Sequence, residues 1–165
     1  MRDKACEEFL KVANQFKLGT LETEKPHPLT TQLSKEAQTN LHSAVDTLKQ
    51  VDTEALKLLE SYLPDIAQLG GDIQDTLNKG GRVFLCGCGA TGRLSISLEV
   101  FCREGLVNPP YEEQFVGFMA GGDAALIKSI DNFEDRPEYG AKQLEELGFR
   151  KEDLLISTTE GGETP

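Results

Sequence analysis

The first half of the chain carries apolar residues at three- and four-residue steps, which is the spacing of amphipathic helices. Three such stripes occupy residues 3–17, 34–48 and 55–77. The polar stretch between the first two contains Pro26 and Pro28. Because proline lacks a backbone donor and favours extended geometry in the residue before it, this stretch is predicted to be a loop or arm. The pattern therefore predicts three helices and one arm.

Capping and helix-breaking residues set the expected ends of these helices. Ser34 is expected to begin the second helix, and Asp52 or Thr53 to cap the third. Pro64 lies inside the third stripe, where it is expected to kink or split the helix. Gly80 follows a basic residue and marks the end of that helix.

From residue 82 onward the pattern changes to short apolar runs that alternate with helical stretches. Strands are predicted over residues 82–86, 115–120 and 153–158, and helices between them over residues 92–103, 123–130 and 137–147. Such an alternation predicts a parallel sheet with helices on both faces. The expected fold class is α/β, a parallel-sheet sandwich with an N-terminal helical leader.

The third predicted strand bears on the domain organisation, because it runs straight into the last residues of the sequence. A parallel sheet of three strands would have an open edge, which folded proteins avoid. We therefore expect a helical leader and arm over residues 1–79. We expect the N-terminal part of an α/β domain over residues 80–165, truncated at its C-terminus.

Acidic side chains outnumber basic ones by 28 to 17, which gives a formal net charge of −11. Nucleic acids and anionic membranes bind basic surfaces, so neither is expected as a partner. No apolar run approaches the roughly 20 residues of a membrane span, and the first residues lack the apolar core of a secretory signal. These features predict a cytoplasmic protein.

The chain contains four cysteines and two histidines. The spacing of Cys86, Cys88 and the other two cysteines matches neither a zinc motif nor a redox CxxC motif. Our interpretation is that these thiols are reduced and serve as small apolar side chains. We therefore predict no metal site and no bound cofactor.

The segment over residues 87–93 (GCGATGR) lies between a predicted strand and a predicted helix. Its glycines fit the pattern G-x-G-x-x-G, in which the backbone turns tightly and approaches a ligand closely. The start of a helix presents free N–H groups and a partial positive charge, and Thr91 adds a hydroxyl donor. This chemistry suits a phosphate group, even on an acidic protein. The candidate binding residues of this loop are Gly87, Gly89, Ala90, Thr91, Gly92 and Arg93.

A nucleotide cofactor is an alternative ligand for this loop. A dinucleotide-binding site requires an acidic residue at the end of the next strand, about 20 residues further on. Glu112 and Glu113 have that spacing but precede the second strand, and Asp123 follows it too far along the chain. A Walker lysine is also missing after the loop, which disfavours nucleotide triphosphatase chemistry.

Two further strand ends carry small or hydroxyl-bearing residues. Gly121 and Gly122 follow the second strand, and Thr159 and Thr164 follow the third. Because parallel strands end at one edge of their sheet, these residues are expected to share a pocket with the glycine loop. Behind the second strand end, an acidic cluster that includes Glu134 is either a solvated face or part of that pocket.

Several of these motifs, taken in order, resemble the sugar-isomerase (SIS) domain family. Within this family the chain is similar to the branch that contains N-acetylmuramic acid 6-phosphate etherase and the glucokinase regulatory protein. The segments that carry the resemblance are residues 23–28 (TEKPHP, against T-E-x-x-N-P), 63–67 (LPDIA), 87–93 (against G-x-G-T-S-G-R), 120–122 (AGG), 134–135 (ED, from E-G-x-E-D) and 159–165 (where the etherase has A-S-G-R-T-P).

The resemblance implies a five-stranded parallel α/β sandwich, of which residues 80–165 would be the N-terminal part. It also implies a pocket for a phosphorylated sugar. In the family the phosphate lies over hydroxyl-bearing turns, a role that carries over to Thr91, Thr159 and Thr164. The resemblance further implies pairing with a second SIS domain, either in the same chain or in a homodimer.

This branch contains both a lyase and a regulator. The etherase uses paired glutamates, and Glu134 matches one of them as the candidate catalytic acid or base, whereas the other position falls at Phe101. Glu99 fills the second role only if the helical register differs. We therefore expect a regulator-like domain that binds a hexose 6-phosphate or a related amino-sugar phosphate, with Glu134 accepting hydrogen bonds from sugar hydroxyls. The alternatives are a carbon–oxygen lyase that cleaves the lactyl ether of N-acetylmuramic acid 6-phosphate, and a nucleotide-cofactor-binding module.

Overall fold

The computed structural model describes residues 25–130 and 136–162, together with Glu7, Leu10, Lys11 and Thr23. The chain forms two compact units, Met1–Glu60 and Ser61–Pro165. The predicted helix over residues 3–17 falls almost wholly outside the described residues. Over residues 25–60, which the structure describes, the first unit contains a short 3₁₀ turn at Pro28–Thr30 and two helices, α1 (Leu33–Thr39) and α2 (Leu41–Leu59).

The break between α1 and α2 lies at Asn40, where the sequence predicted a continuous helix. The Asn40 backbone leaves helical geometry (φ −153°, ψ 86°), and its side chain accepts a hydrogen bond from the Ser43 N–H group at 3.2 Å. Asparagine is among the best N-caps, which explains the new start. The predicted cap at Asp52 or Thr53 is wrong, because α2 runs through both residues. The Thr53 hydroxyl instead donates to the Lys49 carbonyl at 2.7 Å.

The predicted split at Pro64 is confirmed. A 3₁₀ turn covers Glu60–Tyr62, and helix α3 (Leu63–Asn78) begins beyond it. Pro64 lies in the first turn of α3, where the missing N–H group has no intrahelical partner to lose. Gly80 follows the helix with a φ of 76°, a left-handed conformation that glycine adopts without steric cost.

The second unit is built on a sheet of three parallel strands in the order β2-β1-β3. The strands are β1 (Val83–Gly87), β2 (Phe115–Met119) and β3 (Leu154–Thr158). β1 is central, and its Val83 and Phe84 side chains are fully buried. The predicted α/β fold class with a parallel sheet is therefore confirmed.

The core of this unit forms where α3 packs on the sheet. Leu77 of α3 joins Val83 and Leu85 of β1 in a buried apolar cluster, and Ile73 of α3 packs against its border. Ile73 and Leu77 are one helical turn apart, whereas Val83 and Leu85 lie on one face of a strand. The helical stripe seen in the sequence is thus the surface that holds α3 on the sheet.

Three more helices follow the strands: α4 (Gly89–Phe101), α5 (Gly122–Ile127) and α6 (Pro137–Glu146). A π-helical turn, Cys102–Leu106, extends α4. α4 begins at Gly89 rather than at the predicted Gly92, so the glycine loop itself forms the first turn of the helix. No helix among the described residues is long and apolar enough to cross a membrane.

Charged side chains join the amino ends of β1 and β3. The Asp153 side chain has no exposed surface and accepts hydrogen bonds from the N–H groups of Arg82 (2.8 Å) and Arg150 (2.9 Å). It also pairs with the Arg82 guanidinium at 3.0 Å, which in turn donates to the Leu147 and Gly148 carbonyls. Burial raises the pKa of the Asp153 carboxyl, but these donors outweigh burial and hold that pKa below its ordinary value. We call Arg82, Arg150 and Asp153 the amino-end cluster.

Candidate functional site

The carboxyl ends of β1 and β3 lie side by side, because the parallel register pairs Gly87 with Thr158. The Thr158 hydroxyl donates to the Cys86 carbonyl at 3.2 Å and adds a side-chain bond between the two strands. The loops that leave these strands therefore enclose a common space, a cavity of about 230 Å³. We call it the β1–β3 cavity; its lining residues are Cys88, Gly89, Ala90, Thr91, Thr159, Glu160 and Gly161.

The structure brings four of the predicted site residues together in this cavity. Gly89, Ala90 and Thr91 come from the start of α4, and Thr159 follows β3. Arg93 is exposed on α4 and does not line the cavity. The predicted residues Glu134 and Thr164 lie outside the described residues.

Two glycines of the loop serve the packing of α4 on the sheet. A Cβ atom at Gly87 would lie 2.7 Å from the Thr91 hydroxyl oxygen. A Cβ atom at Gly92 would lie 2.5 Å from the Met119 Cβ and 2.6 Å from the Gly87 carbonyl oxygen. Real Cβ atoms do not approach other atoms so closely, so both positions require glycine for close contact between helix and strand. Gly89, in contrast, has a φ of 51°, and a Cβ atom there would have no neighbouring atom within 4 Å, so it borders open space.

The wall of the cavity formed by α4 is a helix N-terminus. The N-cap residue Cys88 is extended (φ −104°, ψ 150°), and its side chain makes no capping hydrogen bond. The first N–H groups of a helix have no intrahelical acceptor and carry a partial positive charge. The Thr91 hydroxyl donates to the Cys88 carbonyl at 2.8 Å. The donors that this wall offers to a ligand are therefore mainly the N–H groups over residues 89–91.

The facing wall is a tight turn after β3. The Thr159 hydroxyl oxygen accepts a hydrogen bond from the Gly162 N–H group at 3.0 Å, and Gly162 has a φ of 79°. This bond closes a turn that contains Glu160 and Gly161. Among the described residues that line the cavity, Glu160 is the one with a charged side chain. Among the described residues, the cavity thus has a positively polarised wall and one carboxylate, that of Glu160.

Sequence reasoning missed three of the lining residues, Cys88, Glu160 and Gly161. Cys88 occupies a variable position of the G-x-G-x-x-G pattern, and the other two follow Thr159 directly. The sequence signal that could have identified these three residues is their position directly beside predicted site residues.

Burial, with a further contribution from the neighbouring Cys88, raises the pKa of the Cys86 thiol to about 11. Cys86 is therefore protonated at neutral pH and serves as an apolar side chain.

The second predicted strand end lies on the other side of β1. Gly121 and Gly122 have φ values of 85° and 63°. The Gln143 side chain fixes this corner: its carbonyl oxygen accepts from the Gly121 N–H group at 3.3 Å, and its amide donates to the Met119 carbonyl at 3.1 Å. Gly122 lines a separate cavity of about 280 Å³ with Gln143. The strand order β2-β1-β3 explains why these glycines do not line the β1–β3 cavity.

The positions considered for acid–base chemistry are arranged as follows. Phe101, where the resemblance placed a second glutamate, is the last residue of α4 and is 57% exposed. The Glu99 carboxylate accepts from the Arg103 guanidinium at 3.1 Å and so belongs to an ion pair on the helix. Among the described residues, no three histidine, cysteine, aspartate or glutamate side chains come together as metal ligands.

Comparison with known proteins identifies two groups of relatives. The family model of the glucokinase regulatory protein N-terminal SIS domain matches residues 65–165. The N-acetylmuramic acid 6-phosphate etherase of Photobacterium profundum is 36% identical over 126 residues, which cover 74% of this chain and 41% of the relative. The etherase of Prochlorococcus marinus (strain MIT 9313) is 35% identical over 147 residues, covering 89% and 45%, respectively. The chain therefore spans less than half the length of these curated relatives.

The matched region contains the whole sheet and the candidate site. It begins within α3 and includes the three strands and both loops of the β1–β3 cavity. The resemblance to SIS domains that the motifs indicated is confirmed. The chain belongs to the family of the glucokinase regulatory protein N-terminal SIS domain.

Proposed function

We propose that this chain is a sugar-phosphate-binding SIS domain of the regulator type, which binds a hexose 6-phosphate or a related amino-sugar phosphate and releases it unchanged. The observation that carries the proposal is the β1–β3 cavity, in which the N-terminus of a 13-residue helix faces the turn after β3. The family model that matches the chain is that of a regulatory protein.

The phosphate group is assigned to the α4 wall of the cavity. Backbone N–H groups at a helix start bind phosphate through both hydrogen bonds and the helix dipole. The N-cap side chain leaves these donors uncapped, and Gly89 keeps the approach to them open. A phosphate at this place therefore needs no lysine or arginine, which fits a chain with a net charge of −11.

The sugar body is assigned to the facing turn. Hydroxyl groups of a sugar both donate and accept hydrogen bonds, and Thr159 and Glu160 supply a hydroxyl and a carboxylate. A volume of about 230 Å³ lies below the roughly 300–1,000 Å³ of most small-molecule pockets. That size favours a compact sugar ester over a dinucleotide.

For the organisation of the protein, we propose residues 1–79 as the leader and arm, with α3 as the part of the leader that packs on the sheet, and residues 80–165 as the N-terminal part of the SIS domain. The partner we propose is a second SIS domain, in the same chain or in a second copy. The family assignment and the greater length of the matched relatives support this proposal.

Calorimetric titration of the 165-residue chain with glucose 6-phosphate tests the binding proposal. We expect saturable binding of glucose 6-phosphate and none of glucose, because the helix N-terminus recognises the phosphate. The Ala90→Asp variant should lose at least tenfold in affinity, since its carboxylate takes the place of the phosphate at the helix start. Its melting temperature should stay at or above that of the wild type, because an acid in the first turn stabilises a helix.

The Ala90→Ser variant is the matched control, because it adds a small uncharged side chain at the same position. It should bind glucose 6-phosphate within about threefold of the wild type. The proposal fails if the folded wild type binds no sugar phosphate, or if Ala90→Asp binds as tightly as Ala90→Ser.

A second candidate function is favoured by the curated relatives, which are N-acetylmuramic acid 6-phosphate etherases. In such a lyase Glu134 acts as the acid or base that removes the lactyl group. Incubation of the chain with N-acetylmuramic acid 6-phosphate, followed by enzymatic detection of lactate, tests it. Lactate release that is abolished in Glu134→Gln supports a lyase, whereas release that persists in this variant contradicts the role of Glu134.

A further inference from the structure

The Glu160 carboxylate, the one charged group among the described side chains that line the β1–β3 cavity, points beyond phosphate binding to the choice of ligand, and this inference rests on the proposed function. We propose that Glu160 is a specificity-determining residue that selects against a second anionic group on the ligand. Sugar monophosphates with a neutral or cationic body are accepted. Sugar bisphosphates and sugar phosphates that carry a carboxylate are rejected.

The place of Glu160 is set by elements on both sides of the cavity. Thr158, two residues before it, is paired with Gly87 in the sheet and bonded through its hydroxyl to the Cys86 carbonyl. The bond from the Gly162 N–H group to the Thr159 hydroxyl oxygen closes the turn around Glu160. The carboxylate is therefore carried by a turn whose two ends are both fixed, opposite the start of α4.

The described residues that line the cavity include no basic side chain that could pair with this carboxylate. The six other lining residues of the described chain have uncharged side chains, and the nearby Arg93 does not line the cavity. Within this described lining, the positive polarisation comes from the helix start, which one phosphate group would occupy. A second anionic group on the ligand would then lie beside the Glu160 carboxylate, and none of the lining side chains that the structure describes is a cation that could offset it.

The size of the cavity makes this repulsion effective. In an open cavity of about 230 Å³, a ligand whose phosphate lies at the helix start brings the rest of its charge close to Glu160 on the facing turn. Like charges at such distances near a protein surface repel strongly enough to change affinity by about tenfold or more. The same carboxylate accepts hydrogen bonds from neutral hydroxyl groups and attracts an ammonium group. A hexose 6-phosphate offers neutral hydroxyl groups to this carboxylate, and an amino-hexose 6-phosphate offers an ammonium group as well.

Three sugar phosphates that differ in charge test this inference by calorimetric titration at low ionic strength: glucose 6-phosphate, glucosamine 6-phosphate and glucose 1,6-bisphosphate. The variant is Glu160→Gln, which keeps the size of the side chain and removes its charge. The control variant is Glu145→Gln, which removes the same charge from an exposed position on α6 that does not line the cavity. Circular dichroism melts establish that all three proteins are folded.

We expect the wild type and Glu145→Gln to bind glucose 6-phosphate about tenfold or more tightly than the bisphosphate. In Glu160→Gln the affinities for glucose 6-phosphate and for the bisphosphate should lie within about twofold of each other. The preference for glucosamine 6-phosphate over glucose 6-phosphate should also disappear in this variant. Added salt should reduce the wild-type ratio, because the repulsion is screened.

The outcomes separate this inference from the proposed function. If the wild type binds glucose 6-phosphate but Glu160→Gln keeps the wild-type ratio, Glu160 does not set specificity and the proposed function stands. If Glu160→Gln and Glu160→Ala bind none of the three ligands, Glu160 is required for binding itself, and its role in discrimination is refuted. If the wild type binds no sugar phosphate, the proposed function and this inference fall together.

Discussion

β1 and β3 are held together by different chemistry at their two ends. At the amino end, the fully buried Asp153 carboxylate is surrounded by donors from Arg82 and Arg150. At the carboxyl end, the loops are held by hydroxyl groups and backbone bonds around the β1–β3 cavity, and Glu160 is exposed. The end that holds a buried and paired carboxylate is suited to stability. The end with an uncapped helix start and an open space is suited to binding.

The largest effect in this comparison is expected from Asp153→Asn. The substitution removes the charge that the Arg82 guanidinium and two N–H groups are arranged to meet, and breaking a buried ion pair costs about 3–5 kcal/mol. We expect the free energy of unfolding, measured by urea denaturation, to fall by about 3 kcal/mol. The control is Asp75→Asn, whose partner Lys79 lies 3.7 Å away in an exposed pair. That variant should change stability by less than about 1 kcal/mol. Equal effects of the two variants would show that the amino-end cluster is no more important than a surface pair.

A smaller effect is expected from Gly92→Ala at the start of α4. Its Cβ atom would lie 2.5 Å from the Met119 Cβ and 2.6 Å from the Gly87 carbonyl oxygen, and the backbone atom cannot move away cheaply. Overpacking of this kind destabilises by about 2 kcal/mol. Gly70→Ala in α3 is the matched control, because no atom lies within 4 Å of its Cβ position. It should stabilise the chain by up to about 1 kcal/mol in the same denaturation experiment. A Gly92→Ala variant as stable as the wild type would contradict the close packing described above.

A still smaller effect is expected from Thr159→Val, at the carboxyl end of the strands. The substitution keeps the shape of the side chain but removes the oxygen that accepts from the Gly162 N–H group at 3.0 Å. Loss of one such hydrogen bond is worth about 1 kcal/mol, so affinity for glucose 6-phosphate should fall about fivefold in calorimetric titration. Thr159→Ser retains the hydroxyl and should restore binding. If Thr159→Val binds as tightly as the wild type, the turn does not need this bond to present Glu160.

The smallest effect concerns the dependence of stability on pH. Because the folded-state pKa of Asp153 lies below its ordinary value, the unfolded state binds more protons in acid. The contribution of the carboxylate is therefore fully present above about pH 4 and is lost as the pH falls through the folded-state pKa. Urea denaturation at several pH values should show that the difference in free energy of unfolding between the wild type and Asp153→Asn becomes smaller below about pH 4. If this difference in free energy of unfolding stays constant as the pH is lowered, the pKa of Asp153 is not lowered by folding.

Much of the fold could be predicted from the sequence because it depends on local patterns. The short apolar runs identified all three strands, and the proline at position 64 identified a helix start. The break at Asn40 was not predicted, because the apolar stripe continues across it and a single capping bond outweighs that pattern. The start of α4 was also placed too late, since the G-x-G-x-x-G pattern does not show whether the loop is extended or already helical.

The candidate site could be predicted only in part, because its composition depends on strand order. Sequence reasoning grouped the residues after all three strands in one pocket. The order β2-β1-β3 instead places the glycine loop beside Thr159 and Glu160, and the corner at Gly121 and Gly122 beside Gln143. Which two strands flank the central one is a long-range property of packing, and no local spacing in the sequence specifies it.

The bond between the Thr158 hydroxyl and the Cys86 carbonyl joins residues 72 positions apart. The β1–β3 cavity therefore does not exist until the chain has crossed over β1 and β3 has docked on its other side, the pairing of longest sequence separation in the sheet and the slowest kind to form. A ligand that binds there binds only molecules that have completed this step. Ligand binding would shift the folding equilibrium towards these completely folded molecules. The ligand would therefore stabilise them relative to partly folded ones.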